Sequence, residues 1–148
     1  GTDDDFEFHL FGERFRRQPE AFKWIVNQSQ VVVHHDEERA SYLKNLARCH
    51  VVLSTSKHEF QGLAILDGIQ QGLIPIVPDA LSYVEMYPKQ YRYPTFPSLL
   101  ANLNHIKNNW TQLYSEFRPI QTELLSRFSA STIRDHWDLV MNELRIQG

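Results

Sequence analysis

The chain has 148 residues, 42% of them hydrophobic and 22% charged, which is one ordinary globular domain's worth and excludes wholesale disorder. Fifteen Lys and Arg against eighteen Asp and Glu give a net charge of −3, which argues against a strongly basic nucleic-acid module. Cys49 has no second cysteine to pair with, and no run approaches the ~20 apolar residues that cross a bilayer; the expectation is a cytoplasmic chain without a membrane span.

Residues 1–5 form an acidic lead-in without a starting Met, which reads as a processing scar on a piece cut from something longer. Residues 6–11 alternate apolar and polar, the period of a half-buried strand that Gly12 ends. Pro19 opens a helix with Phe22, Ile25 and Val26 on one face. Val31-Val32-Val33 is a short β-branched run that suits a strand buried on both sides. Asp36 caps a helix whose stripe is Tyr42, Leu43, Leu46 and Ala47. Val51-Val52-Leu53 repeats the strand, and Ser54-Thr55-Ser56 ends it.

Residues 62–71 read as a helix with Leu63, Leu66, Ile69 and Gln70 at helical spacing, closed by Gly72. Residues 73–77 form the next strand, which Pro75 places near a sheet edge. Alternating strands and helices with short connections predict an α/β class, a Rossmann-like parallel sheet flanked by helices over 6–77. Four prolines break 78–97 into loops and short elements. A helical extension fills 98–148: a long helix through Leu99, Leu103, Trp110 and Phe117 ended by Pro119, further helical turns at 120–128, and a last helix capped by Ser131 or Thr132. Trp24, Trp110 and Trp137 are expected to pack, and Cys49 to be a small buried residue. The whole of 1–148 reads as a single domain.

In an open parallel sheet, ligands sit beyond the carboxyl ends of the strands, over helix N-termini. Three such places are Gly12-Glu13-Arg14, His34-His35-Asp36 and the segment 54–62, the last being the densest in polar groups. There a glycine opens a helix, so the amides of Gly62, Leu63 and Ala64 and the helix dipole favour an anion, with phosphate the obvious guest. Glu59 and Asp67 flank that glycine at a spacing of eight. Carboxylates beside a phosphate suit sugar hydroxyls, so one acid for a hexose and one for a ribose make a layout for a nucleotide-sugar. No Cys partners or His spacing support a metal among His34, His35, His50 and His58, so no metal is expected.

The segment from Ser54 to Tyr87, with its Glu-x7-acid pattern, resembles the donor-binding half of family 4 (group 1) glycosyltransferases of the GT-B fold. His58-Glu59-Phe60-Gln61-Gly62, Gly72-x-x-Pro75 and Leu81-Ser82-Tyr83-x-Glu85-x-x-Pro88 are similar to one branch, the tRNA-queuosine mannosyltransferase-like proteins, as is Phe11-Gly12-Glu13-Arg14-Phe15. The resemblance covers about 6–93. It implies retaining, metal-independent transfer of a hexose from a nucleotide-sugar co-substrate, with GDP-mannose favoured and queuosine in tRNA as an acceptor. By the same resemblance Glu59 contacts the donor sugar near the reacting carbon and is the catalytic candidate. Asp67, one methylene shorter than the usual Glu, takes the ribose, and the amides of Gly62, Leu63 and Ala64 stabilise the departing diphosphate. Arg14 is a candidate phosphate clamp, His58 a pocket residue, and His34 and His35 candidates to flank the base.

The resemblance also implies an N-terminal acceptor-binding domain upstream of Phe6, so this piece is expected to recognise donor without turnover and to meet tRNA only through the full-length enzyme. A non-catalytic Rossmann-like module that binds a protein or RNA partner is the alternative, motivated by the Pro-rich stretch and the cluster Arg14, Arg16, Arg17 and Lys23. A flavodoxin-like or receiver-type domain fits poorly, because no acidic cluster follows the first strand.

Overall fold

The computed structural model describes residues 6–11, 20–35, 38–57 and 62–147, and the chain divides into two compact units, Gly1–Cys49 and His50–Gly148. Alternating strands and helices give the α/β class the pattern predicts, with every strand pair parallel and a helical C-terminal part.

In the first unit, β1 (Phe8–Phe11) pairs in parallel with β2 (Val31–His34), from Phe8 opposite Val31 to Phe11 opposite His34. The crossover contains α1 (Glu20–Ile25), and α2 (Arg39–Leu46) follows β2. Val32 is 37% exposed, so β2 is not the strand buried on both sides that its β-branched run predicts. Trp24 is 67% exposed and does not pack as expected. Gly12 and Pro19, the expected stop and start signals, and the expected Asp36 cap lie outside the described residues; Glu38 is the N-cap of α2, without a side-chain hydrogen bond.

In the second unit, β3 (Val51–Leu53), β4 (Ile74–Pro78) and β5 (Arg92–Tyr93) form a parallel sheet in that order. The crossover from β3 to β4 is α3 (Leu63–Gln70), and that from β4 to β5 is α4 (Tyr83–Met86) followed by a 3₁₀ turn at Lys89–Tyr91. The Pro-rich stretch therefore holds three short elements, with Pro88 and Pro94 between elements rather than in them, as expected of a stretch broken into loops and short elements.

β4 is the middle strand, not the edge strand that Pro75 suggests, and Pro75 is fully buried. The hydrogen bonds explain the tolerance. Ile74 N–H donates to His50 C=O and Ile76 C=O accepts from Ser54 N–H, so these residues face β3. Pro75 then turns its nitrogen toward β5, whose two residues pair only with Val77 and Pro78. The missing donor falls just before that ladder begins.

α3 ends in a closed C-terminal motif: Gly72 takes φ +89°, its N–H donates to Ile69 C=O, and Leu73 N–H donates to Gly68 C=O. Its buried face is Ile65, Gly68 and Ile69, whereas Leu63 is 63% exposed and Gln70 is exposed, which corrects the expected stripe. Gly68 sets that face: a methyl there would lie 2.6 Å from Val52 Cβ, so only a bare Cα lets α3 lie this close on β3.

The long helix is two helices. Thr95 and Ser98 form a capping box for α5 (Phe96–Asn108), with Pro97 in the first turn where no N–H is needed. Asn109, at φ −127° and ψ 26°, breaks the run, and α6 (Trp110–Arg127) passes through Pro119. Phe117 and Leu124, 0% and 1% exposed on either side of that proline, hold α6 together by burial where the lost hydrogen bond would end an isolated helix. Phe117 meets Tyr91 edge-on at 5.6 Å between ring centroids, and Gln121 Nε2 donates to Ile69 C=O at 2.7 Å, pinning α6 to the end of α3. Trp110 stacks on Tyr114 and meets His50 edge-on, as expected of a packed residue. In α7 (Ala130–Gln147), Ser129 Oγ accepts from Thr132 N–H, two or three residues before the expected cap. Trp137 is 62% exposed, and Ile133 and Val140 are exposed beside it, so this helix does not bury the stripe its spacing predicts. Among the described residues no helix is long and apolar enough to cross a membrane.

Candidate functional site

The carboxyl end of β3 and the N-terminus of α3 belong to the second unit, and a set of polar contacts holds the strand end. Ser54, the first residue beyond β3, is 7% exposed and uses each of its polar groups. Its N–H donates to Ile76 C=O at 3.0 Å, its Oγ lies 3.0 Å from Tyr83 Oη and accepts from Ser56 N–H, and its C=O accepts from Tyr93 Oη at 2.8 Å. A buried hydroxyl without partners would cost about 1–3 kcal/mol, so this bonding is what lets a polar residue occupy the core edge.

Gly62 is the N-cap of α3 and adopts the left-handed conformation, φ 59° and ψ 41°. Its C=O accepts from Ile65 and Leu66 N–H, which closes the first turn tightly. Leu63 and Ala64, both exposed, are left with amides that have no partner among the described residues, and no side chain caps the helix. Two such donors at the positive end of a helix dipole, the mouth of α3, are an arrangement that favours negative charge.

Asp67 is half-buried, four residues after Leu63 and therefore on the same side of α3. Side chains of a helix tilt toward its N-terminus, so Asp67, at a rise of about 6 Å, is placed on the side of that mouth. The structure thus brings Gly62, Leu63, Ala64 and Asp67 together in the first turns of α3, while Arg14, His58 and Glu59 lie outside the described residues.

His34 and His35 belong to the first unit. His34 ends β2, and its Nε2 lies 2.8 Å from Nδ1 of His9, whose Nε2–H donates to Glu7 Oε1 at 2.6 Å. With the His9 proton on Nε2, His34 is the donor of the pair. Its ring is stacked at 5.1 Å on His9 and at 4.6 Å on Phe11, and Tyr42 meets Phe11 edge-on. His35 is exposed just beyond. The base-flanking candidates are therefore one histidine built into an aromatic ladder and one open to solvent. Among the described residues no three His, Cys, Asp or Glu side chains converge as metal ligands would.

Cys49 is half-buried rather than buried. Desolvation pushes its thiol pKa up, Glu7 adds to this and Arg48 opposes it, so the thiol is protonated at neutral pH and a poor nucleophile. Burial likewise raises Tyr87, Tyr91 and Tyr93 above the ordinary tyrosine range. Sequence reasoning did not single out Tyr93, and it gave Ser54 and Tyr83 no role although both lie in the segments it quoted. The available signal was that a tyrosine in a buried position needs a hydroxyl partner, and Ser54 follows a buried strand.

Over 127 residues, 84% of its length, the chain is 34% identical to the tRNA-queuosine alpha-mannosyltransferase of Drosophila melanogaster. Those residues make up 33% of that protein, so the chain spans about a third of the length of the curated relative it matches. The stretch is longer than the 6–93 segment carrying the sequence motifs. No family model matches the chain, and no solved structure matches it.

Proposed function

We propose that this chain is the nucleotide-sugar donor-binding domain of a glycosyltransferase of the GT-B type, a retaining and metal-independent enzyme that moves mannose from GDP-mannose to queuosine in tRNA. The observation that carries the reading is the mouth of α3, where the Leu63 and Ala64 amides have no partner among the described residues and a carboxylate stands one turn inside. A diphosphate meets the Leu63 and Ala64 amides and the dipole, a contribution of about 0.3–2 kcal/mol. The ribose hydroxyls donate to Asp67, and the hexose hydroxyls to Glu59. The leaving diphosphate gains negative charge as the glycosidic bond breaks, so amides that are already oriented stabilise that state more than the bound donor. Similarity to a tRNA-queuosine alpha-mannosyltransferase supports the choice of mannose and of this acceptor. The acceptor-binding half and turnover are assigned to the rest of the enzyme, which is why this domain binds donor and does not transfer it.

Calorimetry with GDP-mannose and UDP-glucose tests the reading. The chain binds GDP-mannose more tightly, and Glu59→Ala and Asp67→Ala each weaken binding by roughly 10- to 100-fold, the worth of a charge-assisted hydrogen bond. A folded chain that binds neither donor sinks it, and tight tRNA binding in the absence of donor binding favours a partner-binding module instead.

A further inference from the structure

Ser54 and Gly62 bound the segment that would carry the donor sugar, and one side chain touches both of them. Tyr83, at the start of α4 and 0% exposed, places Oη 3.0 Å from Ser54 Oγ. Its ring stands behind Gly62, where a methyl would lie 3.0 Å from Tyr83 Cε1 and 3.4 Å from its Oη. Tyr93 secures the same strand end from β5 by donating to Ser54 C=O. We propose that Tyr83 is a positioning residue: a phenol spacer whose hydroxyl holds the exit of β3 and whose ring holds the left-handed Gly62, thereby setting the direction of the Leu63 and Ala64 amides toward a diphosphate.

The spacer explains why Gly62 is both bent and bare. The left-handed conformation turns the chain into α3, and the absence of a Cβ lets the Tyr83 ring close against the bend. The hydroxyl then ties that ring to the strand, so Ser54 and Gly62 cannot shift independently. Tyr83 does not touch the ligand in this arrangement. It acts through backbone placement, and misplaced donors lose an anion steeply because charge-assisted hydrogen bonds are short and directional.

The inference rests on the reading of the α3 mouth as a diphosphate site, and the test separates the two. GDP and GMP binding are measured by calorimetry on the full chain and on Tyr83→Phe, Ser54→Ala and their double variant. Tyr87→Phe is the control, since Tyr87 is 3% exposed on the same stretch and its hydroxyl has no partner among the described residues. Tyr83→Phe and Ser54→Ala each weaken GDP by about 5- to 10-fold, as expected for one lost hydrogen bond. The double variant is little worse than either, the preference for GDP over GMP falls, and Tyr87→Phe binds as the parent. Equal GDP binding by the parent and Tyr83→Phe overturns the positioning role while leaving the diphosphate site standing, as does an equal loss for GDP and GMP. A parent chain that binds no GDP overturns both. Should Tyr83→Phe not fold, Ser54→Ala breaks the same bond from the strand side, and the same two outcomes decide the question.

Discussion

Gly62 carries two demands at one backbone position, a φ of 59° and room for the Tyr83 ring, and both exclude a side chain. Gly62→Ala adds about 1–2 kcal/mol of left-handed strain and pushes on that ring, so its melting temperature falls by roughly 5 °C and donor affinity falls with it. Thermal melting and calorimetry on the same sample check this. Its role was legible in the sequence because a glycine between a polar loop and an apolar helix has few other uses. Ser54 and Tyr83 were not legible as a pair, since they are 29 positions apart and only the parallel sheet brings them together. Tyr87 supplies a pH prediction. Burial raises its pKa above the ordinary value of 10.0, so the unfolded chain ionises first and stability present below that pH is lost as pH rises past it. Thermal melts between pH 8 and 11 show a falling alkaline limb, and Tyr87→Phe makes that limb shallower.

At the scale of elements, the seat of α3 on β3 depends on Gly68. Alanine normally favours a helix by about 1 kcal/mol over glycine, but here the added methyl falls 2.6–2.8 Å from three Val52 carbons. Overpacking of about 1–3 kcal/mol outweighs that gain, so Gly68→Ala lowers stability, and pairing it with Val52→Ala recovers part of the loss in a double-mutant cycle. The strands and α3 were legible because their apolar runs are bounded by polar or glycine residues. The helical half was less so, because a proline in a sequence looks like a stop. Pro97 instead sits in the first turn of α5, and Pro119 lies inside α6 between two buried residues. Tertiary burial overrode the local rule at Pro119, and at Pro75 the strand's own alternation hid the missing donor. α7 departs in the other direction: its helical spacing is real, yet Trp137, Ile133 and Val140 remain exposed, because periodicity reports a face and not what covers it.

At the scale of the molecule, two α/β units each built on parallel strands supply a scaffold, and the candidate site uses the strand-to-helix junction of the second. The α/β class was legible because the strand–helix alternation needs no long-range information. The roles given to Glu59 and Arg14 rest on resemblance alone, and both residues lie outside the described ones. The chain spans about a third of the mannosyltransferase it resembles, and donor binding is the property that the proposal assigns to it. The most direct measurement is an amide NMR titration of the chain with GDP-mannose. The Leu63 and Ala64 signals are predicted to move first and saturate together with heat release, and to stop moving in Asp67→Ala at the same donor concentration. Saturable shifts confined to other residues, or none at millimolar donor, would contradict a diphosphate held at the mouth of α3.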